Sequence, residues 1–137
     1  MRRLFLPLLM LFSLAACVAP ASIMESDPST QLQLRQMQTR YFDTDDRRMT
    51  LQAVMATLQD LGFVIDKASH DLGAISATKL SGYNIRMTVN VVPRGGDKMM
   101  VRANAQLGIN PILEPAPYQQ FFDALSQSLF LEAHLEE

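Results

Sequence analysis

Two stretches of alternating apolar and polar residues, separated by adjacent glycines, constrain this chain more than any other feature. The stretches cover 83–92 and 98–107 and flank Gly95–Gly96. Paired glycines in that place are typical of a β-hairpin, because its turn needs backbone conformations that glycine adopts freely. Alternation predicts a sheet with one face on a core and the other in water. The predicted inward residues are Ile85, Met87, Val89, Val91, Met99, Val101, Ala103, Ala105 and Leu107.

Two other segments carry apolar residues at helical spacing. The first follows the acidic residues at 43–46, which suit a helix N-terminus, and stops at Gly62, which suits a C-terminal cap. Its apolar stripe is Leu51, Val54, Met55, Leu58 and Leu61. The second helix is predicted from Tyr118, beyond a proline-rich break. Its stripe is Phe121, Phe122, Leu125, Leu129 and Ala133.

Shorter stretches complete the predicted fold. Residues 63–66 and 74–78 predict two strands, and loose alternation over 32–42 predicts an edge strand at the start. The element order is then β-α-β-β-β-β-α. Its simplest packing is an α+β two-layer sandwich, with an antiparallel sheet of about five strands and two helices on one face. The edge strand 32–42 is also a place where a neighbouring strand can pair.

Composition excludes several classes of protein. A chain of 137 residues suits one domain, and a hydrophobic content of 48% is too high for a disordered chain. The net charge of -2 gives no electrostatic basis for binding nucleic acid. One cysteine and two histidines exclude a disulfide scaffold and a clustered Cys/His metal site.

The first residues predict export and an anchor. Arg2 and Arg3 precede the apolar stretch 4–14, which is shorter than the roughly 20 residues of a membrane-spanning helix. The block Leu14-Ala15-Ala16-Cys17 resembles the lipobox of bacterial lipoproteins. In that family a signal peptidase cleaves before the cysteine, whose thiol carries diacylglycerol and whose amine is acylated. The resemblance implies that residues 1–16 are removed and that Cys17 is lipidated. An ordinary secretory signal with an incidental cysteine is the alternative.

The segment after the cysteine predicts a tether and a destination. Residues 17–30 are rich in proline and serine without a regular period, so we expect a tether here and a single domain over 31–137. Val18 stands where the lipoprotein family uses aspartate to retain proteins on the inner membrane. The resemblance therefore implies a lipid-anchored protein of the outer membrane that faces the periplasm. Beyond the diacylglycerol and N-acyl lipid on Cys17, no cofactor is expected.

Two further resemblances concern the domain. The helix that ends in residues 58–63, followed by a strand, a turn at Gly73 and another strand, resembles the helix-grip domains of the BamC lipoprotein family. That likeness is topological and implies a fold more than a function. Three segments are also similar to small Gram-negative lipoproteins of unassigned role. They are residues 34–44, 58–63 and the ending from Tyr118 to Ala133.

No catalytic set is predicted. His70 adjoins Asp71 in a turn, where neighbours rarely align as a base and its orienting carboxylate, and His134 stands near the end of the chain. No serine lies in a G-x-S-x-G context, and the acids at 43–46 lack the spacing of a calcium loop. Arg47 and Arg48 are interpreted as a solvated pair. We therefore predict a non-enzymatic protein without a metal site.

The polar side of the hairpin is the candidate interaction surface. A docking surface for another envelope protein or for glycan is one interpretation of its guanidinium and amide groups, and an ordinary solvated face is the alternative. Met100 is included because its side chain is predicted to point away from that of Met99 and to form an exposed apolar contact. The candidate residues are Asn84, Arg86, Asn90, Met100, Arg102 and Asn104.

Two functions remain open from the sequence. The first is an accessory or interaction module in an envelope assembly, bound to the membrane by its lipid and to a second protein of unknown identity. The second is a module that binds a small ligand or lipid in a groove between the helices and the sheet. That groove is predicted to be lined by Met55, Phe121, Phe122 and Leu125.

Overall fold

The computed structural model describes residues 28–81 and 84–135. The predicted signal peptide, Cys17 and residues 18–27 of the predicted tether lie outside these residues, as do the side chains of Ala133 and His134. The elements are α1 (Pro28–Gln38), β1 (Thr39–Phe42), α2 (Arg47–Asp60), β2 (Val64–Ser69), β3 (Ala74–Lys79), β4 (Ile85–Pro93), β5 (Met99–Leu107), β6 (Asn110–Pro111) and α3 (Pro115–Leu135).

The strands form one antiparallel sheet in the order β1-β5-β4-β3-β2, and the two-residue β6 pairs with β5. The α+β class predicted from the sequence is confirmed. Helices α2 and α3 share one hydrophobic core with one face of the sheet, which we call the inner face. Fully buried residues of this core include Val54 and Leu58 of α2, Phe121 and Leu125 of α3, and Val89, Val91, Val101 and Ala103 of the sheet.

The central hairpin follows its predicted pattern. Strand β4 pairs with β5 along its whole length, and Val89 lies opposite Ala103 in that register. Gly95 and Gly96 in the connecting turn have φ values of +61° and +56°, a region that favours glycine. The predicted inward residues from Met87 to Val91 and from Met99 to Ala105 are buried in the core. At the far end of the hairpin Ile85 is half-buried, and the prediction that Leu107 faces the core is wrong, because its side chain is 42% exposed.

Helix α2 begins and ends where the sequence indicates. Asp46 is its N-cap, and its carboxylate accepts a hydrogen bond of 2.8 Å from the backbone N–H of Met49. A side-chain cap of this kind satisfies a donor that has no partner within the helix. After the helix, Gly62 has a φ of +86° and turns the chain into β2. Arg47, however, is half-buried, and its Nη2 donates to the carbonyl oxygen of Asp71 at 3.2 Å. The prediction that Arg47 is a solvated surface residue is wrong.

The edge strand predicted over 32–42 is also wrong for most of its length. Residues Pro28–Gln38 form helix α1, which begins inside the predicted tether, and only Thr39–Phe42 form a strand. The physical reason is composition, because 32–38 contains only Leu, Gln, Arg and Met, all strong helix formers, whereas Thr39 and Tyr41 favour strands. Leu34 and Met37, three positions apart, pack against the core.

A buried tyrosine joins α3 to the β1 side of the sheet. The hydroxyl of Tyr118 donates to the carbonyl oxygen of Ile112 at 2.8 Å. It also accepts from the backbone N–H of Ala105 and from Nε2 of Gln38, each at 3.3 Å. Since Ala105 is on β5 and Gln38 ends α1, this one hydroxyl links two elements and the loop after β6 to α3. The side chain is 1% exposed.

Candidate interaction surface

The side of the sheet turned away from α2 and α3 is polar along β4 and β5. We call this side the outer face. The register aligns Asn90 with Arg102 and Thr88 with Asn104, so their side chains form cross-strand pairs. On β4 and β5 the polar residues of the outer face are Arg86, Thr88, Asn90, Arg102, Asn104 and Gln106.

The structure places the predicted polar residues together and leaves them accessible. Asn84 is exposed just before β4, and its carbonyl oxygen accepts a hydrogen bond from Gly108. Arg86 and Arg102 are exposed, whereas Asn90 and Asn104 are half-buried. None of the five is buried, so these side chains are available to a partner along one continuous surface.

Met100 does not belong to the exposed surface, and the prediction of an exposed apolar contact is wrong. Its side chain is only 4% exposed, although its neighbour Met99 faces the core. The reason is the register, which aligns Met100 with Tyr41 of β1 on one side and Val92 of β4 on the other. The outer face is therefore polar along most of its length and apolar at one end.

The outer face carries positive charge without matching acids on the strands around it. Elements α1, β1, β3, β4 and β5 contain no Asp or Glu. Arg102 donates from Nε to the Thr39 hydroxyl at 3.3 Å, so a neutral neighbour orients it. The acid on β2, Asp66, accepts a hydrogen bond of 2.6 Å from the Thr78 hydroxyl. The surface therefore favours an acidic partner.

A shallow recess extends this surface at its β1 side. Its volume is about 330 Å³, and it brings Arg35 of α1 toward Arg102 of β5. The other lining residues are Gln36, Thr39 and Tyr41. The sequence does not predict Arg35 and Tyr41 as site residues, because the alternation over 32–42 predicts a single strand. The signal against that strand is the absence of β-branched and aromatic residues from 32–38.

The predicted groove between the helices and the sheet is not formed by the predicted residues. Phe121, Phe122 and Leu125 are at most 2% exposed and belong to the packed core. Met55 is half-buried and lines a different cleft of about 200 Å³ between α2 and the end of β2. His70, the histidine that adjoins Asp71 and was weighed as a catalytic base, is exposed and lines the same cleft.

Within residues 28–81 and 84–135, no three described His, Cys, Asp or Glu side chains are arranged to hold a metal ion. None of the helices in these ranges is long and apolar enough to cross a membrane. No protein-family model matches the chain, and comparison with curated proteins gives no match. The fold and surface thus define a class, a two-layer α+β domain with one accessible, electropositive sheet face.

Proposed function

We propose that this protein is an outer-membrane-anchored periplasmic lipoprotein. In this role it is a non-enzymatic interaction module of an envelope assembly and binds an acidic surface of another envelope protein. The observation that carries the proposal is the accessible outer face, on which Arg86 and Arg102 lie among amide and hydroxyl groups with no acid on the adjoining strands. The anchor is supported by the sequence Leu14–Cys17, which lies outside the described residues.

The chemistry of the face suits a protein partner. Guanidinium groups bind carboxylates in a bidentate manner, and the amides of Asn90 and Asn104 both donate and accept hydrogen bonds. Arg102 is held by Thr39 before any partner arrives, which lowers the entropy lost on binding. The hydrophobic end at Tyr41, which is 61% exposed, adds an aromatic side chain of the kind that anchors interfaces.

The anchor is tested by metabolic labelling with palmitate in the cells that make the protein. We expect the label in the wild-type chain and not in a Cys17→Ser variant, because the thiol is the attachment point. Mass spectrometry of the wild-type chain then identifies the modified residue. An unmodified thiol at position 17 would contradict the anchor.

The docking surface is tested by photo-crosslinking in living cells. A photoreactive residue at Asn104 is expected to give a discrete crosslinked species, whereas the same residue at Gln120, exposed on α3, is the matched control. Adding Arg102→Glu is expected to abolish the Asn104 crosslink, since it reverses the charge offered to an acidic partner. A crosslink of equal yield at both positions would contradict the assignment of the outer face.

The cleft beside Met55 supports a second candidate, a module that binds a small ligand. Its walls combine Leu51 and Ile75 with Arg48 and Gln52, a mixture that suits a short apolar molecule with an anionic end. At about 200 Å³ it is smaller than the roughly 300–1,000 Å³ of most ligand pockets, which ranks it second. Titration with octanoate should shift the NMR signal of the Met55 methyl group if this candidate is correct. An unmoved signal would exclude it.

A further inference from the structure

Three large apolar side chains are exposed at one end of the sheet. Leu80 directly follows β3, Leu107 ends β5, and Ile109 lies in the turn before β6. Their exposed fractions are 75%, 42% and 91%. Lys79 pairs with Ile85, and Ile85 with Leu107, so all three apolar residues are at the same end. They lie within about two strand spacings, roughly 10 Å, and we call them the apolar tip.

Exposed apolar residues are ordinary when scattered but indicate a contact surface when they are grouped. The charges around the apolar tip have both signs. Lys79 and Arg86 lie beside it on the sheet, and Asp60 ends α2 at the same end. Since both signs are present, the tip suits an apolar phase better than a charged partner.

The first strand of the sheet runs away from the apolar tip. Strand β5 runs toward the apolar tip, and β1 is antiparallel to it, with Thr39 opposite Arg102 and Phe42 opposite Met99. The chain therefore enters the sheet from the tip side and runs away from it.

The segment between the predicted anchor and the domain is short. The first described residue, Pro28, is eleven positions after Cys17. A chain of that length spans at most about 40 Å when fully extended, at roughly 3.3–3.6 Å per residue. A lipid on Cys17 thus holds the domain within that distance of a bilayer.

We propose that the apolar tip inserts into the lipid surface to which the protein is anchored. The inference rests on the proposed lipidation of Cys17 and adds an orientation to it. With the tip in the headgroup region, the sheet stands upright on the membrane. Arg86 then lies closest to the headgroups, and the outer face around Asn90, Arg102 and Asn104 remains open to a periplasmic partner. Apolar insertion of Leu80 and Ile109 provides the contact, so it does not require anionic lipid.

The test uses the full lipidated chain in phosphatidylethanolamine–phosphatidylglycerol vesicles and in phosphatidylcholine vesicles. Because the chain has one cysteine and the lipid occupies it, an introduced cysteine is a unique site for an environment-sensitive dye. The test variants are Leu80→Cys and Ile109→Cys. The matched control is Leu72→Cys, since Leu72 is 74% exposed in the turn at the opposite end of the sheet. Spin-labelled lipids in the vesicles quench a dye that reaches the bilayer.

We expect quenching and a blue shift at Leu80 and Ile109 in both vesicles, and neither effect at Leu72. The double variant Leu80→Asp, Ile109→Asp, with the dye at Leu107→Cys, should lose the quenching while remaining on the vesicles. A vesicle-bound protein with an unquenched tip, or with quenching at Leu72 instead, would overturn the orientation and leave the anchor intact. A mass showing an unmodified Cys17 would overturn the proposed anchor and the orientation together.

Discussion

The two faces of the sheet differ in how their residues are used. On the inner face Val89 and Val101 have no exposed surface and pack with α2 and α3. On the outer face Arg86 and Arg102 are exposed, and their strands, β4 and β5, contain no Asp or Glu. Burial of apolar area stabilises the fold, whereas exposed polar groups contribute little to it. The inner face therefore stabilises the fold, and the opposite side of the same strands is free for the binding that we propose.

The largest expected effect comes from the core between α3 and the inner face. Phe121→Ala removes a ring with no exposed surface that packs edge-on against Phe122 at 5.1 Å between ring centroids. A cavity at such a site costs about 3–5 kcal/mol of unfolding free energy, which urea denaturation measures. The control is Phe130→Ala on the same helix, where the ring is 61% exposed. A control loss as large as that of Phe121→Ala would break the comparison between buried and exposed positions.

The next largest loss of stability is expected in the turn before β3. This turn sets how β3 pairs with β4, and so which residues face inward. Gly73 has a φ of +66°, and a Cβ there would lie 2.5 Å from the carbonyl oxygen of Val91 and against the Arg47 guanidinium. We expect Gly73→Ala to lower the unfolding free energy by about 2–4 kcal/mol, through backbone strain and steric overlap together.

A second glycine separates those two causes. Gly95 has a φ of +61°, but no described atom lies within 4 Å of the position of its Cβ. Gly95→Ala therefore carries the backbone strain alone and should cost about 1–2 kcal/mol. Equal losses in the two variants, measured by urea denaturation, would show that steric overlap at Gly73 contributes nothing.

The sequence predicts which residues face inward where the alternation of side chains determines it. It fails where burial depends on contacts between distant parts of the chain. Alternation over β4 and β5 predicts both faces because each side chain's direction follows from its own position. Helix α1 is not predicted because residues 36–41 alternate between polar Gln or Arg and Met, Thr or Tyr, a pattern typical of a strand. The prediction that Met100 is exposed fails because alternation gives the side of the strand but not the neighbours, Tyr41 and Val92, that flank Met100 in the sheet. Nothing in the local sequence indicates that Tyr118 contacts Gln38, which is 80 positions away.

The Tyr118 hydroxyl gives the third prediction, because it fastens α3 to the inner side of the sheet edge. Tyr118→Phe keeps the ring but removes the acceptor for Ala105 and Gln38 and the donor to Ile112. Buried groups left without partners cost about 1–3 kcal/mol, a loss that thermal or urea unfolding detects. Tyr41→Phe is the matched control, since Tyr41 is 61% exposed, and should change stability by less than about 0.5 kcal/mol.

The smallest effect on stability, and the largest expected effect on binding, is at the outer face. Arg86→Ala with Arg102→Ala removes two exposed cations and the hydrogen bond from Arg102 to Thr39. We expect the unfolding free energy to change by less than about 1 kcal/mol, because exposed polar contacts are worth little. The crosslink from Asn104 to the partner, in contrast, should be lost.

The matched control for that variant is Arg94→Ala with Lys98→Ala, which removes the same charge at the end of the β4–β5 hairpin. Lys98 pairs with Asp43 at 3.4 Å across exposed side chains, so this change is also mild for the fold. If the partner recognises the outer face, only the first double variant loses the crosslink. If both lose it equally, the partner responds to the net charge of the domain, and the division of the sheet into a stabilising face and a binding face fails.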